Sequence, residues 1–269
     1  MFKAVLTDLD GTLLDSNHEL TDFTRNIMKK FISKGYKLYI ATGRIEMGAK
    51  RITDKIDTNI SVVTINGART VDKYGKELNS IFLDEYSNKF LLDFDYEKYG
   101  NDIYVNGYCG NEWYIVNNEQ LPIYFKNRID DDYRPKLISN EEFKKYRYNK
   151  IYFIGNLEKI LEIKKVLDEK IGDRTNINIV GKNSVEIYSK EINKAKSSKL
   201  LLDIDNIKED EVVVFGDGFN DFDMLNYFKN SYVMGNASKE LKNKLLNREV
   251  IGNNDSDAVA KKIIEIFEL

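Results

Sequence analysis

Asp8-Leu9-Asp10-Gly11-Thr12 sets two carboxylates two residues apart, directly after the apolar run from Phe2 to Thr7. Such a pair can share the work of a group transfer, with one carboxylate attacking an electrophile while the other gives a proton and later takes one back. Gly11 lets the backbone leave a strand sharply. Taken alone, the same residues would also suit a solvated acidic turn. A calcium-binding EF-hand loop is excluded, because that loop needs glycine at its sixth position and Gly11 stands at the fourth.

Three further groups have a place in such chemistry. Ala41-Thr42-Gly43-Arg44 ends a second apolar run. A hydroxyl and backbone N–H groups at a strand-to-helix junction suit a phosphate oxygen, although a helix cap beside a surface arginine has the same composition. Gly216-Asp217-Gly218-Phe219-Asn220-Asp221 follows the most apolar run of the chain. Its carboxylates and amide are the oxygen donors that a hard cation such as Mg²⁺ takes. Last comes a lysine near Ile192-Asn193-Lys194-Ala195-Lys196; spacing does not choose among Lys194, Lys196 and Lys199.

Composition removes most alternatives. His18 is the only histidine and Cys109 the only cysteine of 269 residues. Histidine-ligated zinc, a Ser-His-Asp triad, a Cys-His pair and any disulfide or CxxC site are thereby excluded. Acid–base and metal chemistry must run on carboxylates and lysines. The net charge is −3, and the basic residues are spread along the chain without a dense block. Charge therefore gives no support to a nucleic-acid, membrane or protein partner. Residues 1–7 form one apolar run far shorter than a signal peptide or membrane span, so the expectation is a cytoplasmic protein.

The elements that must position these groups follow a βα rhythm. Phe2 to Thr7, Tyr36 to Ala41 and Ser61 to Ile65 read as strands, with helices between them. The first helix is capped by Thr21, carries Phe23, Ile27, Met28 and Phe31 on one face, and stops at Gly35. This is the signature of a doubly wound parallel sheet. From residue 82 the pattern changes. Asp102–Val105 and Glu112–Val116 predict a hairpin turned by Asn106–Asn111. Strands at Lys150–Ile154, Asn176–Val180 and Ser184–Tyr188 surround a helix at Leu157–Ile171. The rhythm resumes with strands at Glu211–Phe215, Ser231–Met234 and Val250–Ile251 and a helix at Ala258–Phe267. The expected architecture is α/β: a Rossmann-like core of residues 1–81 and 190–269, with an α+β cap of residues 82–189 inserted into it. In a parallel sheet the strand ends that carry the motifs face one side, so the fold itself would gather them.

Asp8-Leu9-Asp10-Gly11-Thr12, Thr42, Lys194 and Gly216-Asp217-Gly218-Phe219-Asn220-Asp221 resemble, in order, the four motifs of the haloacid dehalogenase superfamily. The insertion is similar to the large α/β cap of its Cof-like phosphatase branch, as are Asn66-Gly67-Ala68 and Met234-Gly235-Asn236-Ala237. The chain departs from the branch in having Ala195 after the lysine, Glu191 where a glycine turn is frequent, and Ala258 in place of glycine. None of these removes a group that does chemistry. The resemblance implies hydrolysis of phosphomonoesters through an aspartyl-phosphate. It makes Asp8 the nucleophile and a metal ligand, and Asp10 the general acid/base, whose backbone carbonyl reaches the metal. Asp217 and Asp221 complete the Mg²⁺ site. Thr42 and Lys194 hold the phosphoryl group, with the neighbourhoods of Leu9, Gly43 and Asn220, while Arg44 and Asn66 are placed to touch substrate. The acid form of Asp10 is expected to be favoured by nearby acidic groups that raise its pKa.

The implied substrate is a small phosphorylated metabolite, sugar phosphates first, with flavin or pyridoxal phosphates behind. Tyr104, Tyr108, Trp113 and Tyr114 can stack on a ring, although packing within the cap explains most of them. His18 reads as a loop residue and Cys109 as part of a turn, neither with a role. A phosphomutase or phosphotransferase on the same core is the main alternative. An aspartate phospho-switch is a weaker one, because such modules are about half this length and need no cap. A catalytically idle ligand-binding member is the third.

Overall fold

A computed structural model of the chain describes residues 1–116 and 134–269. From the N-terminus come β1 (Ala4–Thr7), α1 (Asp22–Ser33), β2 (Lys37–Ala41), α2 (Glu46–Thr53) and β3 (Ser61–Thr64), then β4 (Arg69–Val71) and β5 (Glu77–Ser80). There follow α3 (Glu85–Asp93), β6 (Tyr104–Cys109), β7 (Glu112–Val116), β8 (Lys136–Ile138), α4 (Asn140–Phe143), β9 (Lys150–Ile154), α5 (Leu157–Ile171), β10 (Thr175–Val180) and β11 (Ser184–Ser189). The last part holds α6 (Lys194–Ile204), β12 (Val212–Gly216), α7 (Phe222–Tyr227), β13 (Ser231–Val233), α8 (Lys239–Lys244), β14 (Glu249–Val250) and α9 (Ala258–Phe267). The chain divides into two compact units, one of Met1–Asn79 with Asn193–Leu269 and one of Ser80–Ile192.

The first unit is built on a sheet of order β14-β13-β12-β1-β2-β3-β4-β5. Its strands from β14 to β3 run parallel, and β4 turns back antiparallel on β3. Alternation along each strand supplies two apolar faces. Val5, Ile40, Val62, Val213 and Phe215 pack with Met28 and Phe31 of α1, Ala49 and Ile52 of α2, and Ile263 of α9. Ala4, Leu6, Tyr39, Val63, Val212 and Val214 pack on the other face with Leu201 and Leu202 of α6, Met224 of α7 and Leu241 of α8. Strands buried on both faces read as continuous apolar runs, which is why this core is legible in the sequence. This is the doubly wound α/β core.

Thr21 caps α1 as expected, its side chain accepting from the Thr24 N–H. The buried face is Thr24, Met28 and Phe31, however, and Phe23 is exposed. Spacings of four and three residues put those three on one stripe, with Phe23 a residue off it.

In the Ser80–Ile192 unit, a sheet of order β10-β11-β9-β6-β7-β8 has one face against α3 and α5. The turn expected at Asn106–Asn111 is corrected: β6 runs on to Cys109, and only Gly110 and Asn111 make the turn to β7. Asn106 lies wholly buried in mid-strand, its Oδ1 accepting from Trp113 Nε1 at 3.1 Å. A tertiary hydrogen bond overrides the turn preference of an Asn-Gly pair there. Among the described residues, no helix is long and apolar enough to cross a membrane.

Candidate active site

The site grows from the carboxyl ends of β1, β2 and β12 in the first unit. β1 pairs with both β2 and β12, so residues leaving these three strands emerge side by side. After Asp8 the chain makes one wide helical turn, Leu9–Leu13, closed by the Leu14 N–H on the Leu9 carbonyl at 2.9 Å. Gly11 takes φ +77° in that turn, and a Cβ there would stand 2.4 Å from Asp217 Oδ2. The turn from β1 and the motif after β12 therefore touch through a position that only glycine fits.

Lys194 is the centre of the arrangement. It opens α6, whose N-cap Asn193 accepts from the N–H groups of Ala195 and Lys196. Its Nζ donates to Asp8 Oδ1 at 2.8 Å and to Asp221 Oδ1 at 2.6 Å, with no side-chain surface exposed. Lys196 is exposed and Lys199 pairs with Asp203, whereas Lys194, the lysine named by the resemblance, is the one bonded to Asp8 and Asp221. Asp221 Oδ2 accepts from the N–H groups of Asp217 and Gly218 at 3.1 and 3.0 Å. Asp217 Oδ1 accepts from Thr12 Oγ1 at 2.8 Å.

Asp8, Asp217 and Asp221 each offer an oxygen within 4.8 Å of the others. Among the described residues, three clustered carboxylates have one ammonium beside them, bonded to two of them, so the ionised cluster carries more negative charge than Lys194 balances. An all-oxygen donor set with surplus negative charge fits a hard divalent cation. Burial pushes the pKa of Asp8 well up, with Lys194 opposing and Asp221 and Asp217 adding to the rise. Burial also pushes Asp217 up to about 6, helped by Asp221 and opposed by the Thr12 hydrogen bond. Lys194 is drawn down by burial, but the charges of Asp221 and Asp8 outweigh this and hold it above the ordinary lysine range.

Asp10 stands apart from that cluster. Its carboxylate accepts from Arg44 Nε at 2.7 Å and Nη2 at 2.5 Å, and lies 2.8 Å from His18 Nδ1. The expectation that acidic neighbours raise its pKa is overturned. Burial does press upward, but hydrogen bonds and charge from Arg44, then His18, prevail and hold Asp10 below the usual carboxylate range. His18, read from the sequence as a loop residue without a role, has φ +62° and sets its ring beside the Asp10 carboxylate. Its standing as the only histidine was the one available signal.

The remaining residues are placed as follows. Thr42 is fully buried at the end of β2, its Oγ1 accepting from the Arg44 N–H at 3.2 Å. The Leu9 side chain lies in the apolar core, which leaves only its backbone to face a ligand. Gly43 sits so that a Cβ would be 3.0 Å from Asn66 Oδ1. Asn220 Nδ2 donates to that same oxygen at 3.0 Å, which brings Asn66 and Asn220 together. In the other unit, Trp113 and Tyr108 pack edge to face at 6.0 Å, and Tyr114 stacks on Tyr146 at 4.6 Å.

A Buchnera aphidicola protein named "Putative phosphatase" is 32% identical over 271 residues, covering 97% of this chain and 94% of its own. A protein of Yersinia enterocolitica named HMP-PP phosphatase is 26% identical, covering 97% and 93%. The crystal structure of a haloacid dehalogenase-like hydrolase from Bacteroides thetaiotaomicron superposes with a TM-score of 0.85 at 22% identity, covering 99% of this chain and 100% of that one. Residues 5–263 match the family described as haloacid dehalogenase-like hydrolase, and the chain belongs to that family.

Proposed function

We propose that this enzyme is a Mg²⁺-dependent hydrolase of small phosphomonoesters, sugar phosphates first, working through an aspartyl-phosphate on Asp8. The observation that carries the reading is the buried Lys194 ammonium bonded to both Asp8 and Asp221, with Asp217 beside them. Lys194 on Asp8 Oδ1 leaves Oδ2 to form the bond to phosphorus. As that bond forms, the ester P–O bond breaks, and the leaving oxygen takes a proton from Asp10. Water then attacks the aspartyl-phosphate and returns a proton to Asp10, and the bond from phosphorus to Asp8 breaks, releasing phosphate. In the free site Asp10 is held ionised by Arg44, the form needed for the second step. The acid step calls for a proton that arrives with substrate or when the Arg44 contact loosens. Asp8, Asp217 and Asp221 would hold Mg²⁺, which supplies positive charge to the phosphoryl oxygens. Thr42 and Lys194 are assigned to the same oxygens. The inserted unit, Ser80–Ile192, is assigned the choice of leaving group, and the setting is proposed to be cytoplasmic.

The test is phosphate release from a panel of sugar, nucleotide, flavin and pyridoxal phosphates and HMP-PP, with Mg²⁺ and with EDTA. Release that requires Mg²⁺ supports the reading, and the ranking identifies the leaving group. Transfer to added sugars or alcohols with little free phosphate would instead make the protein a phosphotransferase.

A cation binds the ionised carboxylates, so its affinity is linked to pH. With Asp217 at about 6 in the metal-free protein, Mg²⁺ affinity is expected to fall as pH drops through 6, by up to about tenfold per unit for each proton displaced. The stability of the metal-free protein moves the other way. A raised folded-state carboxyl disfavours folding above its pKa, and that cost is relieved as acid protonates it. Calorimetric Mg²⁺ titrations at pH 7.5, 6.5 and 5.5 check the first trend. An affinity flat across that range would mean that cation binding displaces no proton from Asp217.

A further inference from the structure

Among the three clustered carboxylates, Asp217 is held differently from its partners. Asp8 and Asp221 share the Lys194 ammonium, whereas no ion pair to Asp217 occurs among the described residues. Neutral donors hold it instead. Thr12 Oγ1 donates to Oδ1, and Asn236 Nδ2 lies 3.5 Å from Oδ2. Asn236 follows β13, and the same Nδ2 donates to the Gly11 carbonyl at 2.8 Å. One amide thus spans the β1 turn and the carboxylate it presses against.

The orientation of that amide is fixed from behind. The Asn254 N–H donates to Asn236 Oδ1 at 3.1 Å, and Asn254 Nδ2 donates to the Leu14 carbonyl at 3.0 Å, at the end of the same turn. A flipped Asn236 would set its carbonyl oxygen against two acceptors and its NH₂ against a donor. Asn254 is buried, so its bonds are shielded from water.

We propose that Asn236, oriented by Asn254, is a positioning residue for the divalent cation, keeping Asp217 and the Gly11 turn in register beside Asp8. An amide does this without neutralising the carboxylate; a lysine in its place would compete with the cation for Asp217. The inference rests on the metal-dependent reading above.

The experiment is calorimetric Mg²⁺ binding to the full-length protein without substrate, for wild type, Asn236→Ala and Asn236→Ser, with thermal unfolding in EDTA alongside. A serine hydroxyl is too short to span both acceptors, so both variants are expected to weaken Mg²⁺ binding by about tenfold or more. Each variant removes the acceptor of the Asn254 N–H and the donor to the Gly11 carbonyl, so unfolding midpoints in EDTA should fall by about 2–8 °C and leave both variants folded at 25 °C. In turnover, the Mg²⁺ concentration for half-maximal rate should rise while the rate at saturating Mg²⁺ changes little. Wild-type Mg²⁺ affinity in folded variants would overturn the assignment and leave the metal-dependent reading intact. Wild type that binds no Mg²⁺ would overturn both.

Discussion

Asp8→Asn is expected to lower phosphate release by at least about 10⁴-fold, the scale seen when a covalent nucleophile is removed, and to leave the protein folded. Asparagine has the shape of aspartate but cannot form the acyl phosphate that turnover requires. The structural cost is small for a specific reason. Asp8 is buried and its ionised form is disfavoured there, with Asp221 and Asp217 adding repulsion. A neutral amide removes that repulsion, and Lys194 keeps its bond to Asp221. The unfolding midpoint in EDTA should therefore be equal to or above that of wild type. Phosphate release and thermal unfolding on the same samples check both halves. Activity within tenfold of wild type would exclude Asp8 as nucleophile. Loss of activity together with loss of the folded state would make its role structural.

Lys194→Met is expected to be costly on both axes. The substitution keeps much of the side chain's length and removes the ammonium set between Asp8 and Asp221. Breaking a buried ion pair by deleting one partner costs about 3–5 kcal/mol, because the remaining charges are left buried and uncompensated. The carboxylates can recover part of this by binding protons. Destabilisation should therefore be large at pH 8 and smaller at pH 5, where Asp8 and Asp217, both raised, are more readily protonated. Mg²⁺ should restore part of the lost stability, since it supplies positive charge to the same oxygens. Phosphate release should fall by about 10²–10³-fold or more, the scale for removing a donor that stabilises transition-state charge. Denaturant unfolding at the two pH values, with EDTA and with Mg²⁺, reads the stability half. A variant as stable as wild type at pH 8 would mean that the Asp8 and Asp221 charges are not held by Lys194.

Local pattern was enough to specify the parallel core and to name its acidic groups. Strands buried on both faces need unbroken apolar runs, and those runs end at Asp8, at Thr42 and at Gly216-Asp217. Parallel pairing then brings their ends to one edge. That much needs only periodicity and the chirality of βαβ units. Contacts distant in sequence decided the rest. Spacing leaves Lys194, Lys196 and Lys199 equivalent and the family resemblance names Lys194; the fold then sets its ammonium between Asp8, 186 residues before it, and Asp221, 27 after it. Asp10 reads as one more acid until Arg44, 34 residues on, and His18 close on it and lower its pKa instead of raising it. Asn106 has turn composition yet is buried in a strand, because Trp113 across the hairpin donates to it. Asn236 crosses 225 residues to reach the Gly11 carbonyl. Local sequence specifies backbone propensity and which faces are apolar; the partner of a polar side chain is specified only once the sheet has brought the two together.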